Sequence, residues 1–272
     1  MGKINFNEEE HKYTNDNGQV YTSVTRLISK YKQPFDSEYW STYKAIKDVL
    51  IKEGAWDDFK QEAGGWENIV NYYLHTDKLS GCIDAIESAK QSYLDKWERE
   101  KNEACEKGTS FHKAMEQDTI NASVVIHNNK KMKVQDQMLI DLQDFNGNGL
   151  FTELLVHNDA YMIAGQIDLC FLLDNKKVSI KDYKTNKKIE KRGFRGAKMK
   201  YPLHGYDDCN FVHYTLQMST YAWMLEQLGY EIESLELIHV DRETGGHIKD
   251  YPVKYEKQAV EWMLQHHRKD VF

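Results

Sequence analysis

Between residues 150 and 185 the chain has room for little except three consecutive strands. Residues 151–157, 161–173 and 177–185 are rich in apolar side chains, and only the turn signals Asn158-Asp159 and Asp174-Asn175 divide them. Links so short cannot carry a crossover, so each strand must lie antiparallel to the next. A helix is expected over 211–228, ending at Gly229, a residue suited to the left-handed turn that closes a helix. Residues 234–240 and 247–253 predict another hairpin across Thr244-Gly245-Gly246, and a last helix should run from about 255 to 268. From about residue 100 the order is helix, three strands, helix, strand. That order predicts an α/β fold with a central mixed sheet flanked by helices.

Upstream the texture differs. In the region 1–35, Ile4, Phe6, Tyr13, Val20 and Tyr21 flank the turn Asn15-Asp16-Asn17-Gly18 and predict a short hairpin over 4–21. Ser23 should cap a helix reaching about Tyr31, before Pro34. Residues 37–118 read as helical, with breaks near Gly54, Gly64-Gly65, Thr76 and Gly81. The expected organisation is a hairpin and helix over 1–35, a helical region over 36–100, and a core over 101–272.

Composition matters for what it excludes. With 40% hydrophobic and 29% charged residues, the 272-residue chain is that of a folded globular protein. No stretch approaches the roughly 18 apolar residues of a membrane span. Residues 1–11 are polar and acidic, unlike a secretory leader, and Phe6 stands where a myristoylation signal has Ser or Thr. A cytoplasmic protein with no membrane partner is expected. Cys82, Cys105, Cys170 and Cys209 form no CxxC pair, which argues against a zinc or iron–sulfur site. The net charge of −7 argues against a general polyanion binder. Yet Lys184, Lys187, Lys188, Lys191, Arg192, Arg195, Lys198 and Lys200 share one segment with a single acid, Glu190. Such a loop is either merely solvated or a contact for phosphates.

Asp182-Tyr183-Lys184 ends the third strand. Residues two apart on a strand point the same way. An acid so placed can bind a divalent cation, while the lysine orients an attacking water and offsets charge in the transition state. The acid-x-Lys pattern also occurs at Glu10/Lys12, Asp58/Lys60 and Asp174/Lys176, but only the 182–184 copy closes an apolar strand, Val178-Ser179-Ile180. Asp168 lies in the preceding strand between Ile167 and Leu169, where a lone carboxylate is costly. A hairpin turning at 174–175 brings residue 168 beside 181 or 182. Two acids so placed repel unless a cation such as Mg2+ or Mn2+ joins them; a cross-strand salt bridge to Lys181 or Lys184 is the alternative. Glu153 adds a third acid on the first strand, equally readable as an outward-facing residue. Gly108 should let its helix approach the sheet, with His112 one turn on, either structural or functional. Gln217 and Tyr221 share one helix face, where they could hydrogen-bond, stack, or simply be half-buried.

Taken in order, Gly108 to His112, Glu153, Gly165-Gln166-Ile167-Asp168, Asp182-Tyr183-Lys184 and Gln217-x-x-x-Tyr221 resemble the motif series of the RecB-like branch of the PD-(D/E)XK nucleases. The resemblance runs from about 101 to 240. It implies a restriction-endonuclease-like αβββαβ core and hydrolysis of DNA phosphodiesters with Mg2+, for which Mn2+ would substitute. It implies that His112, Asp168, Asp182 and the Tyr183 carbonyl hold metal, that Glu153 is a supporting or second-metal acid, and that Lys184 orients water. Gln217 and Tyr221 would contact DNA, joined by Lys187, Lys188, Lys191 and Arg192 of the basic loop. Tyr21-Thr22-Ser23-Val24-Thr25 is similar to the segment that opens mitochondrial genome-maintenance exonucleases and many bacteriophage relatives.

The expectation is therefore an exonuclease working on single-stranded DNA or free ends, in phage-type recombination, replication or repair. A phage-encoded enzyme would work in a bacterial host cell, with a single-strand-binding or recombination protein as candidate partner. The region 36–100 would cover the site, with Trp40, Trp56, Trp66 and Trp97 stacking on bases; filling a helical core is the plainer reading of any one of them. The cluster cysteines of some relatives are missing, so no iron–sulfur cluster is expected. The rivals are a structure-specific or CRISPR-adaptation-like endonuclease and a catalytically silent nucleic-acid-binding module.

Overall fold

The structure, a computed structural model, describes residues 4–136, 142, 145, 147–241 and 243–271. The chain divides into two compact units, Met1–Gln33 with Gly108–Phe272, and Pro34–Lys107.

The first unit is α/β, with a mixed sheet of ten strands among the described residues. Its elements are β1 (Ile4–Asn7), β2 (Lys12–Asn15), β3 (Val20–Ser23), α1 (Val24–Ser29), β4 (Val124–His127), β5 (Lys130–Val134), β6 (Gly149–Asn158), β7 (Ile163–Leu173), β8 (Lys177–Lys184), α6 (Asn210–Glu226), β9 (Glu231–Val240), β10 (His247–Val253) and α7 (Lys257–Val271). β7 is the axis of the sheet. One of its edges is paired along its length by antiparallel β6, which continues to β5 and β4. The other edge is shared. β3 lies parallel to its start, with Thr22 opposite Ile163 and Ser23 opposite Ala164, while β8 lies antiparallel to its end, from Leu169 to Leu173. The sheet therefore forks, and residues 165–168 of β7 lie between the two branches. One branch continues from β3 to β2 and β1, the other from β8 to β9 and β10. The helix α6 carries the chain from β8 back to a parallel β9, as a crossover must.

The largest core joins α1, α6 and α7 to the sheet. Val24, Leu27 and Ile28 of α1, Leu216 and Met218 of α6, and Met263 and Leu264 of α7 are all buried in it with Phe151, Ile167 and Cys170. A smaller cluster of Met132, Leu150, Leu169, Phe171 and Leu173 also forms on the sheet. Ser23 caps α1 as expected, its hydroxyl accepting from the Arg26 N–H at 3.1 Å.

The N-terminal hairpin is in fact a three-stranded meander, because a second turn over residues 8–11 separates β1 from β2. The β4–β5 hairpin was not anticipated. It turns on Asn128 and Asn129, whose φ angles of 48° and 63° are left-handed, as a two-residue hairpin turn requires.

The second unit is helical: α2 (Ser37–Lys52), α3 (Trp56–Glu62), α4 (Ile69–Leu74) and the first part of α5 (Ile83–Ala122), whose residues from Gly108 on belong to the first unit. It buries its own core of Ala45, Ile46, Leu50, Phe59, Ile69 and Ile86. Gly54 and Gly64 mark breaks as expected, with φ near +70°. Trp40, Trp56, Trp66 and Trp97 are all half-buried. Trp40 and Trp56 each set an edge against Tyr43, and Trp97 packs with Phe35 and Tyr93. Among the described residues no helix is long and apolar enough to cross a membrane.

Candidate metal centre

The β6–β7–β8 register sets three acids in a row. Thr152 pairs with Leu169 and Leu154 with Ile167, which puts Glu153 opposite Asp168. Leu169 pairs with Lys181, which puts Asp168 level with Asp182 on the far side. Beyond that last pair, the Tyr183 N–H donates across to Asp168 Oδ2 at 2.7 Å.

Glu153 sits at an irregularity. A regular strand sends residues 151 and 154 to opposite faces, yet Phe151, Leu154 and Val156 all enter one core cluster. The alternation slips where Glu153 adopts a φ of 48°, a left-handed value that costs a non-glycine residue energy. The Gln166 side chain donates to the Glu153 carbonyl at 3.2 Å and braces the slip.

His112, in the first-unit part of α5, completes the group. Its Nδ1 lies 3.2 Å from Asp168 Oδ2 and 3.9 Å from Glu153 Oε1. Candidate ligand atoms of His112, Glu153 and Asp168 all fall within 4.8 Å of one another. One imidazole nitrogen with carboxylate oxygens is a donor set that could hold a hard divalent cation. Tyr183 turns its ring toward the edge of Phe111, at 5.7 Å between centroids.

Asp182 is 2% exposed, and its Oδ2 lies 2.5 Å from Lys184 Nζ, the ion pair that the sequence left open as an alternative. Lys184 Nζ also lies 4.6 Å from the centre of the Tyr214 ring. The Tyr214 hydroxyl donates to Asn186 Oδ1, and the Asn186 carbonyl meets His239 Nε2 at 2.6 Å. Tyr214, Asn186 and Gln166 were missed from sequence. Their only signals were proximity to Lys184 in the chain, a place one helical turn before Gln217, and a seat inside the Gly165–Asp168 motif.

Burial and charge pull the site's ionisations apart. Burial, then the Asp168 charge, raises the Glu153 pKa to about 8. Burial would lower that of His112, but Asp168 and Asp182 outweigh it and raise it to about 8. Asp168 goes the other way: burial opposes its charge, yet His112, Lys184 and the Tyr183 N–H hold its pKa below the ordinary value. Burial raises Asp182 to about 6, with Lys184 acting in the opposite sense. Three of these four groups are thus shifted towards keeping a proton and Asp168 towards losing its own, a spread frequent at functional sites.

No protein-family model matches this chain, and no curated protein matches it.

The α6 pair departs from expectation. Tyr221 is 3% exposed, so its ring cannot stack on a base. It packs on Gly165, where a Cβ would come within 2.4 Å of the ring, and its hydroxyl accepts from Gln217 at 3.0 Å. Gly165 and Tyr221 are thus one packing unit behind the fork, and only Gln217 remains half-exposed. Gly108 makes no such close approach: the nearest atom to an added Cβ, Thr185 Oγ1, would be at an ordinary 3.8 Å. Lys187, Lys188, Lys191 and Arg192 are exposed, with Lys191 lying over the Phe211 ring at 4.8 Å.

Proposed function

We propose that this protein is a metal-dependent deoxyribonuclease of the PD-(D/E)XK type, hydrolysing DNA phosphodiesters from free ends. The observation that carries the reading is the row of Glu153, Asp168 and Asp182 on three adjacent strands, with His112 on one side and Lys184 on the other. A charged row of this kind, buried in a sheet, is costly unless it serves a cation and a charged substrate.

His112, Asp168 and Glu153 would hold Mg2+ or Mn2+, with Asp182 and the Tyr183 carbonyl as further ligands. A bound divalent cation would supply Lewis-acid stabilisation of the phosphate and lower the pKa of water. Lys184, fixed between Asp182 and Tyr214, would donate to the scissile phosphate's non-bridging oxygen or orient the attacking water. Gln217 would position the strand beside Lys184. The restriction-endonuclease-like core belongs to this same proposal. The order of first-unit α5, β6, β7, β8, α6 and β9 supports it, with β4, β5 and the meander as additions to that core.

The test is a gel assay of end-labelled linear single strands and closed circles, with Mg2+ or with EDTA. The expected result is loss of the linear strand with Mg2+ only, and survival of circles. Cutting of circles would replace the exonuclease by an endonuclease at the same site, and no cutting of any DNA would sink the proposal.

A further inference from the structure

The loop that leaves the site carries more than charge. Between residues 187 and 200 it exposes seven cations, Lys187, Lys188, Lys191, Arg192, Arg195, Lys198 and Lys200, against one acid, Glu190. The same loop exposes two aromatic rings, Phe194 at 67% and Tyr201 at 70%. Here the exposed rings stand among cations, and the Arg195 guanidinium lies over the Phe194 ring at 5.2 Å, so ring and charge are offered together.

Both rings are held in place. Gly193 begins the turn that presents Phe194 and Arg195; a Cβ there would lie 2.0 Å from the Ala197 carbonyl oxygen, so no other residue fits this backbone. Across the loop, Met199 N–H donates to the Tyr206 carbonyl and Asp208 N–H to that of Ala197, at 3.1 and 2.9 Å. The Lys200 N–H is tied to the Tyr31 carbonyl at 2.8 Å, directly before Tyr201. The Tyr201 ring stacks on His204, with 5.9 Å between centroids and 14° between planes, and meets His266 edge-on at 5.3 Å. Rings already ordered lose little freedom when a ligand stacks on them.

We propose that residues 193–204 form a platform for one nucleic-acid strand, on which Phe194 and Tyr201 stack with bases while Arg195 and Lys200 take phosphates. An exposed ring can stack only on a base whose face is free, which selects a single strand over a duplex. The identity of the strand as DNA rests on the proposed function; the platform itself does not. Its base is joined to the site, since Asn210 Nδ2 donates to the Lys188 carbonyl and its Oδ1 accepts from the Glu190 N–H, both at 2.8 Å.

The test is fluorescence anisotropy with labelled oligothymidine in EDTA, where binding is read apart from hydrolysis. Phe194→Ala with Tyr201→Ala should raise Kd by about tenfold or more, the loss expected of a stacked base. Tyr201→Phe keeps the ring and should keep the affinity. Blunt duplex, whose bases are already stacked, should be far less affected by the double alanine change. An unchanged Kd for oligothymidine in the double variant, an equal loss on duplex, or a wild-type protein that binds no oligothymidine would overturn the platform. So would anionic phosphatidylserine vesicles that lose the double variant while oligothymidine keeps it. Strand binding without any Mg2+-dependent cutting would retire the proposed nuclease and support the platform.

Discussion

Two regions of this molecule are crowded with charge, and they are opposites. In the row from Glu153 through Asp168 to Asp182 the acids are buried or half-buried, Asp168 and Asp182 are paired with His112 and Lys184, and each group shifts its neighbours' ionisation. In the loop from Lys187 to Lys200 the cations are exposed to water. The first arrangement depends on sheet register and tolerates no substitution lightly. The second depends on number and sign, and is screened by salt within about 10 Å at ordinary ionic strength.

The sharpest way to break this contrast is to remove one buried acid. Asp168→Asn should lower kcat by roughly a thousandfold or more, because several kcal/mol of charge stabilisation is lost with the metal. The same change should also destabilise the protein, since Asp168 is the acid of the row whose charge its surroundings favour. Lys184→Met should cost roughly a hundredfold in kcat and leave Mn2+ affinity, read by titration calorimetry, close to wild type. Full activity in either variant would detach the row from the chemistry.

A second effect is smaller and concerns stability. Glu153 and His112 both keep a proton in the folded protein up to about pH 8, which the unfolded chain releases near 4.5 and 6.5. The folded state binds more protons across that window, so stability falls as pH rises through it. In EDTA the melting temperature should therefore drop between pH 6.5 and about 8, in a scanning fluorimetry series, and Glu153→Gln should flatten the drop. Mg2+ should protect most at the high end, where the protons it displaces are already gone. A melting temperature that climbs over this range in EDTA would mean that the row ionises otherwise than argued.

The smallest effect is expected from the loop. Neutralising Lys187, Lys188, Lys191 and Arg192 together should flatten the dependence of log Kd on log salt, by about 0.7 for each contact made to a single strand. An unchanged slope would leave these four as solvated charge, and throw the contrast back on the rings of Phe194 and Tyr201.

The Asp168–Asp182 half of the row was legible because a tight turn at 174–175 leaves a strand pair almost no choice of register. The Glu153 half was not, since a left-handed residue inside β6 breaks the alternation from which a strand's faces are read. The Asn128-Asn129 turn was present in the sequence as a hairpin signal, but the four-residue strand on its N-terminal side is too short to show a period. Gln217 and Tyr221 do share a helix face and do bond to each other. Spacing alone could not say that the face looks inward, because Leu216 and Met218 through Leu225 are buried on every side of α6. The basic loop was visible as charge; the Gly193 turn that aims its rings comes from backbone packing, which no composition shows.

The fork in the sheet has a consequence for how the chain comes into being. Of the first three strands β3 is the one seated on β7, and its Tyr21 hydroxyl donates to Asp159, in the turn that precedes β7 and 138 residues away in the chain. During synthesis β3 emerges long before the strand that receives it, and contacts at such separation form late because a long loop must close first. Until then a short edge of unpaired main chain is open to any other strand. The pairing of β3 with β7 therefore closes the longest loop of the two branches, and the short edge it covers stays open until β7 has been made.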